Sequence, residues 1–359
     1  MPKMAQLFWS RKQPSTAIIR QVVGCRSIGR NPAMKGFAMP ILFKEFAVQM
    51  RGSRVAILLA IYVGFSTIMA RLLYGALISQ LDRGVPLLSA QIGQVLFIGL
   101  SLGLQLLTIF LAPALTLNAI SSEYERGTAL VLQTTPITPL QLVSGKLVAA
   151  LSLLILLLLA VAPVFSIIFL FGGVSLNDVG RMGGLLLLSA FTGCIFGLCC
   201  SAATRQTYSA TLLCYALLVC LVGGTLLAAN IWSLLNAMQA APAYYVVANP
   251  LSAMAAALVP ARPPTDAFVG GLRPLVLLSL LTRGAIEAGT LEGTLPLHRA
   301  TAALYGAASL LLFWLTLHLA APYRRWRLTK VDAAFCCLLL GYLVLVYGAR
   351  EWWLVGIAI

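Results

Sequence analysis

The sequence predicts an all-α polytopic membrane protein, and three observations carry that prediction. Of 359 residues, 60% are hydrophobic and only 10% are charged, against roughly 25% charged in soluble domains. Several apolar runs reach ~18 residues or more, long enough to cross a bilayer as helices. The formal charge of +15 sits mostly on Lys and Arg flanking those runs, where basic residues orient a membrane protein. No RNA- or DNA-binding motif accompanies them.

Residues 1–30 contain Lys3, Arg11, Lys12, Arg20, Arg26 and Arg30 and no acidic residue. They lack the apolar core and cleavage site of a secretory signal and read as a basic cytoplasmic tail near anionic lipid. In 31–54, Met39, Leu42, Phe43, Phe46 and Met50 fall on one helical stripe, with Lys44, Arg51 and Arg54 off it. This pattern predicts an amphipathic helix lying in the cytoplasmic interface.

Six spans follow, at about 55–77, 92–117, 147–171, 182–202, 209–229 and 300–321. Arg71 lies in the outer part of the first, where snorkelling to the far headgroups accounts for it. Pro113 and Pro163 predict kinks in the second and third spans. Gly193 and Gly197 form a GxxxG pair in the fourth, which allows close helix packing. A tight inner turn at 204–207 carries Arg205. The segment 230–298 reads as external. Its two apolar pieces, 246–259 and 272–286, are too short and interrupted for spans and read as re-entrant or surface helices. They cap a path through the protein or form a plain outer lid. After the sixth span, 322–332 is a basic cytoplasmic segment, and the apolar run 333–349 is a candidate seventh span.

The longest polar interruption in the first two thirds of the chain is Ser121 to Lys146, within the loop segment 118–146. Ser122 and Glu125 have capping-box spacing, predicting a helix start at Ser122. Glu123 and Glu125 then occupy a first turn, where the helix dipole favours negative charge. Pro136 ends this helix, Thr138-Pro139 begins a second, and Gly145-Lys146 close it. The residues alone fit either a docking hook or an amphipathic loop on the headgroups. With this topology the inner segments hold ten basic residues before the first span, two in the loop, Arg205 and four after the sixth span, against seven outside. The loop is therefore assigned to the cytoplasm.

Several chemistries are excluded by pattern. Gly145-Lys146 lacks the earlier glycine and the Ser or Thr of a P-loop. There is no nucleophile elbow and no zinc-protease motif. His298 and His318 sit at opposite ends of one predicted span, and the eight cysteines show no paired metal-ligand spacing, so they read as small packing residues.

The run ExERGT, then TP, then LxxGK, within 121–146, resembles the coupling segment of ABC-2 type transporter permeases. The stretch Asn31 to Arg54, with its NP, KE and RxxR elements, resembles that family's N-terminal interfacial helix, placing Lys44, Glu45, Arg51 and Arg54 there. The resemblance implies a six-helix permease core, with 333–349 as an addition. It also implies an inner-membrane transport subunit, usually an exporter, that holds no cofactor of its own. ATP would be hydrolysed on a separate ATP-binding subunit, and the chain would pair with a second permease copy or a paralogue. Docking would fall on Glu123, Glu125, Arg126, Gly127, Thr128, Thr135, Pro136, Gly145 and Lys146. The chain departs from the family at Leu130 and Gln141, where acidic residues often stand. Readings from other classes are a membrane-embedded lipid-processing enzyme and a non-transporting scaffold.

Overall fold

The computed structural model describes residues 53–81, 89–127, 139–236, 242–258, 297–320 and 330–353, all within one compact unit, Pro40–Ile359. The predicted interfacial helix through Lys44, Glu45 and Arg51 lies outside the described residues, as do Thr128, Thr135, Pro136 and the apolar piece 272–286.

The fold is all-α, with six membrane spans and a shorter apolar C-terminal helix. In chain order the elements are α1 (Ser53–Leu81), α2 (Ser89–Glu125), α3 (Pro139–Ala160), α4 (Ala162–Phe169), α5 (Leu176–Thr204), α6 (Thr207–Leu235), α7 (Pro250–Leu258), α8 (Leu297–Ala320), α9 (Lys330–Gly348) and α10 (Arg350–Trp353). The spans are α1, α2, α3 with α4, α5, α6 and α8. Even the 24-residue α8 measures about 36 Å at ~1.5 Å per residue, more than the ~30 Å hydrocarbon core. Successive spans alternate in direction, so the 126–138 connection and the α5–α6 turn share one end of the bundle, termed here the loop end.

The centre of the bundle is the α2–α5 contact. Without water, helices in lipid associate through close packing and interhelical hydrogen bonds, and both operate here. A Cβ on Gly193 would lie 2.9 Å from the Ala112 Cβ; one on Gly197 would lie 2.3 Å from Thr116 Oγ1 and 2.8 Å from the backbone of Pro113. The predicted GxxxG pair therefore seats α5 on the proline turn of α2. Thr116 Oγ1, 3.0 Å from Cys194 O, and Gln105 Nε2, 2.6 Å from Ser189 Oγ, donate across the same seam. Tyr215 of α6 donates to Phe110 O in the turn before Pro113 (3.2 Å), the kind of side-chain support that lets a span tolerate proline.

Pro163 divides the third span. Its missing N–H interrupts the ladder at the buried Val161, and α4 restarts with the proline in its first turn. At the far end, Gly172 and Gly173 have φ near +80° and lie against α2, where a Cβ on Gly173 would sit 2.2 Å from Ala90 O. Only glycine meets both demands without strain. Asp178 joins Ser175 in a capping box that starts α5. Arg71 is exposed on the half of α1 away from the loop end.

The first apolar piece of the long segment between α6 and α8 enters the bundle rather than lying over it. Asn249 Nδ2 donates to Val222 O and Thr225 Oγ1, both at 2.9 Å, near the middle of α6. The chain turns there and climbs again as α7, most of whose residues are buried. Non-helical backbone at this depth needs internal partners, and it has them. Ser252 donates to Val246 O, Thr301 to Val247 O and Tyr305 to Ala248 O, while Leu251 N–H donates to Asn249 Oδ1.

The 19-residue α9 runs back along α8. Phe335 packs on Phe313, Tyr342 OH donates to Ala303 O, and Arg299 donates to Trp352 O and lies over its ring. Its apolar part, Asp332–Gly348, is shorter than the six spans.

The glycine seam yields a prediction. Gly197→Ala drives a methyl into Thr116 and the Pro113 backbone, and overpacking of this kind costs about 1–3 kcal/mol. It is expected to lower the thermal midpoint of the detergent-solubilised protein. Gly184→Ala on the same helix, where a Cβ meets nothing within 4 Å, is expected to leave it unchanged. Equal midpoints for the two variants would show that the seam is not tightly packed.

Candidate functional site at the end of α2

The loop end differs from its sequence reading in one respect. No new helix begins at Ser122, because α2 continues unbroken to Glu125. Between Leu117 and Glu125 the chain has no glycine or proline to stop a helix already propagating, and propagation is easier than a new nucleation. Ser122 is thus not an N-cap, and its hydroxyl donates back to Asn118 O. The helix ends at Gly127, whose φ of +68° is the left-handed conformation typical of a helix stop. The second predicted helix does start at Pro139, but it is the beginning of the third span itself. Gly145 and Lys146 lie inside α3 and do not close it. Among the described residues, the two predicted helix starts are the continuation of α2 and the first turn of α3.

Both acidic residues at the end of α2, Glu123 and Glu125, have a partner on another span. Glu125 Oε1 accepts from Thr207 N–H at 2.6 Å, and Oε2 accepts from Thr207 Oγ1 at 2.9 Å. The carboxylate therefore caps α6, whose own N-cap residue, Gln206, supplies no side-chain bond. The helix-dipole argument for negative charge holds, but the dipole belongs to α6 rather than to a helix starting at Ser122. Both donors favour the ionised form.

Glu123 Oε1 lies 2.5 Å from Lys146 Nζ, joining α2 to α3. Lys146 is buried at 6% exposure, and its ammonium also donates to Ala119 O in the last turns of α2. An ammonium at such burial needs both a counter-charge and acceptors. The two residues at opposite ends of the predicted motif therefore form one ion pair.

Three further contacts complete the clamp. The Arg205 guanidinium lies 4.7 Å over the Tyr124 ring; Arg205 itself closes α5 in the left-handed conformation, with φ +56°. Ser201 Oγ accepts from the N–H groups of Ile120 (3.2 Å) and Ser121 (2.9 Å). Ser121 Oγ is 3.2 Å from Thr207 Oγ1. The end of α2 is thus tied to α3, α5 and α6 together, while Arg126 and Gly127 project exposed beyond it.

Sequence reasoning placed Glu123, Glu125 and Lys146 in the site but missed Tyr124, Ser201 and Thr207, and noted Arg205 only as part of a turn. The available signal was polar clustering at span ends predicted to share one face. Nothing local in the sequence says which of those polar groups meet.

The family model described as "ABC-2 family transporter protein" matches residues 39–333. The chain belongs to the ABC-2 family. No curated protein matches it significantly. It is therefore a polytopic ABC-2 permease, a non-catalytic membrane component of a kind that generally works with a separate ATP-binding-cassette subunit. Among the described residues of this permease, no group of three or more His, Cys, Asp or Glu is placed to hold a metal. Cys194, Cys199, Cys200 and Cys214 are buried free thiols in the spans. Glu123 is held by Lys146 and Glu125 by Thr207, so the site ties α2 to α3 and to α6.

The ion pair generates a test. Glu123→Ala leaves a buried ammonium without its counter-charge, a change that costs about 3 kcal/mol in comparable sites, and a clear fall in thermal midpoint is expected. Adding Lys146→Met removes the stranded charge and is expected to restore most of that loss. If the double variant is no more stable than Glu123→Ala alone, the pair does not act as a unit.

Proposed function

We propose that this permease is the membrane subunit of an ATP-binding-cassette exporter in the cell (inner) membrane, with its N-terminus and loop end in the cytoplasm. A separate ATP-binding subunit docks on the 121–146 segment, and a second permease copy or paralogue completes the transporter. The observation that carries this reading is the clamp: α2 leaves the bundle joined to α3 through Glu123–Lys146 and to the α5–α6 turn through Glu125–Thr207. A push on residues 126–138 would reach four helices at once.

The charge distribution supports the orientation, since the loop end carries Arg126, Lys146 and Arg205 and is the end to which the basic N-terminal and 322–332 segments lead. Within the docking set, Arg126, Gly127, Thr128, Thr135 and Pro136 form the outer contact surface, while Glu123, Glu125, Gly145 and Lys146 pass its movement inward. Lys44, Glu45, Arg51 and Arg54 hold the preceding helix in the cytoplasmic interface. The α9 helix crosses as a seventh span beside α8 and carries the C-terminus outside. Its pairing with α8 from Phe313 to Arg299 supports that course.

Purification of the tagged permease from mild detergent is expected to bring down an ATP-binding subunit. Gly127→Trp and Arg126→Glu, both on the exposed tip, are expected to reduce recovery at least tenfold. Lys146→Met is expected to retain the subunit but to uncouple its ATPase rate from the permease. Absence of any ATP-binding protein, under conditions that preserve a known permease complex, would favour a non-transporting scaffold.

A further inference from the structure

A cavity of about 400 Å³ lies within the bundle where α2, α5, α6 and α8 meet the inward tip of the re-entrant segment. Its wall includes Ile109, Ser189, Phe196 and Leu312, with Ala248 and Pro250 of the re-entrant turn closing one end. No Asp, Glu, Lys, Arg or His lines it, so a charged occupant would lose its hydration without a counter-charge.

Two further features define the occupant. The first is the mouth. Leu217, Leu221 and Leu304 line the cavity and are also exposed on the outer surface, at 46%, 37% and 43%. The cavity therefore opens sideways between α6 and α8, on the flank of the bundle rather than at either of its ends. The second is an unfinished hydrogen-bond pair. Ser189 Oγ accepts from Gln105 Nε2, but no described group accepts the Ser189 proton. The other wall hydroxyls are committed: Thr192 donates to Leu188 O and Tyr305 to Ala248 O. Gln105 is fully buried, and its Oε1 has no partner among the described residues. Exchanging the amide oxygen and nitrogen would let Ser189 donate to Gln105 Oε1 but would leave the amide N–H groups without an acceptor, so in either orientation the pair lacks an acceptor. Gln105 and Ser189 stand near the midpoints of α2 and α5, where each missing hydrogen bond is costly.

We propose that this cavity binds an uncharged lipophile dissolved in the bilayer, entering between α6 and α8 and placing a carbonyl or ether oxygen against the Ser189–Gln105 pair. The hydrocarbon body fills the apolar wall, and the single oxygen supplies the acceptor that the Ser189 hydroxyl lacks. The inference is independent of the ATP-binding partner, because it concerns binding by the permease itself.

Benzophenone is a suitable probe, being an uncharged, apolar diaryl ketone with one acceptor oxygen that cross-links to nearby C–H bonds under ultraviolet light. The full-length permease would be labelled in phosphatidylcholine nanodiscs and the adducts mapped by mass spectrometry. The expected result is labelling concentrated on residues 217–221 and 304–312, saturating with probe concentration. Ser189→Ala is expected to raise the half-saturating concentration about tenfold, the loss of one buried hydrogen bond. Leu221→Trp blocks the mouth from a partly exposed position that tolerates bulk, and is expected to abolish the labelling. Diphenylmethane, of similar shape but without the oxygen, is expected to compete poorly.

Three results would overturn the proposal. Labelling spread evenly over the outer faces of α1 and α9 would mean the probe is only a solute in lipid. Equal competition by diphenylmethane with no effect of Ser189→Ala would mean the cavity takes hydrocarbon chains without reading an oxygen. Unlabelled cavity residues, together with cross-linking between two copies through Leu304→Cys, would mean that a second copy covers the mouth.

Discussion

The close contact of α2 with α5 is the constraint on which the other elements depend. Lipid removes the hydrophobic drive between spans, so helices must gain through proximity and hydrogen bonds. Gly193 and Gly197 bring the backbone of α5 against Ala112, Pro113 and Thr116, and this proximity sets the register of both helices. Register at the middle then determines the ends. It brings Ser201 under the N–H groups of Ile120 and Ser121 and places Thr207 opposite Glu125. The same register aligns Gln105 with Ser189. The central packing, the loop-end clamp and the mid-bilayer polar pair are therefore not three independent features. A shift of one helical turn along the seam would separate all three.

The clamp extends this seam to two further helices. Polar residues at a membrane boundary usually meet water and contribute little. Here Lys146 is buried, and its ion pair with Glu123 spans two helices, while Glu125 caps a third. A carboxylate serving as the cap of a neighbouring span makes that span's N-terminus follow α2 wherever it moves. The Tyr124–Arg205 stacking adds a contact that tolerates sliding, because a cation over a ring face is less directional than a hydrogen bond. The arrangement combines hydrogen-bonded ties with one stacking contact.

At the opposite end, the re-entrant segment solves a different problem. It carries irregular backbone into the membrane, and every carbonyl from Val246 to Ala248 receives a donor from a nearby side chain. Asn249 does two jobs at the tip, clasping α6 at Val222 and accepting from Leu251 N–H at the start of α7. The tip also closes the lateral cavity, so the depth of the segment determines the depth of the binding space.

Much of the architecture was legible in the sequence, because hydrophobic length and basic flanks are local properties. They located six spans, the additional C-terminal run and the short piece at 246–259 that does not cross. Pro163, the GxxxG pair and Pro139 gave their local consequences correctly, since backbone chemistry acts within a turn or two. The error at Ser122 is instructive: S-x-x-E is a valid start signal, but a helix that is already propagating overrides it. The chain by itself determined which residues are polar at span ends and which span ends share a face of the bundle. Only the tertiary structure decided their partners, pairing Glu123 with Lys146, Glu125 with Thr207 and Gln105 with Ser189. The physical reason is that such pairings depend on helix register and rotation. Those follow from packing summed over the whole seam, which no local stretch of sequence encodes.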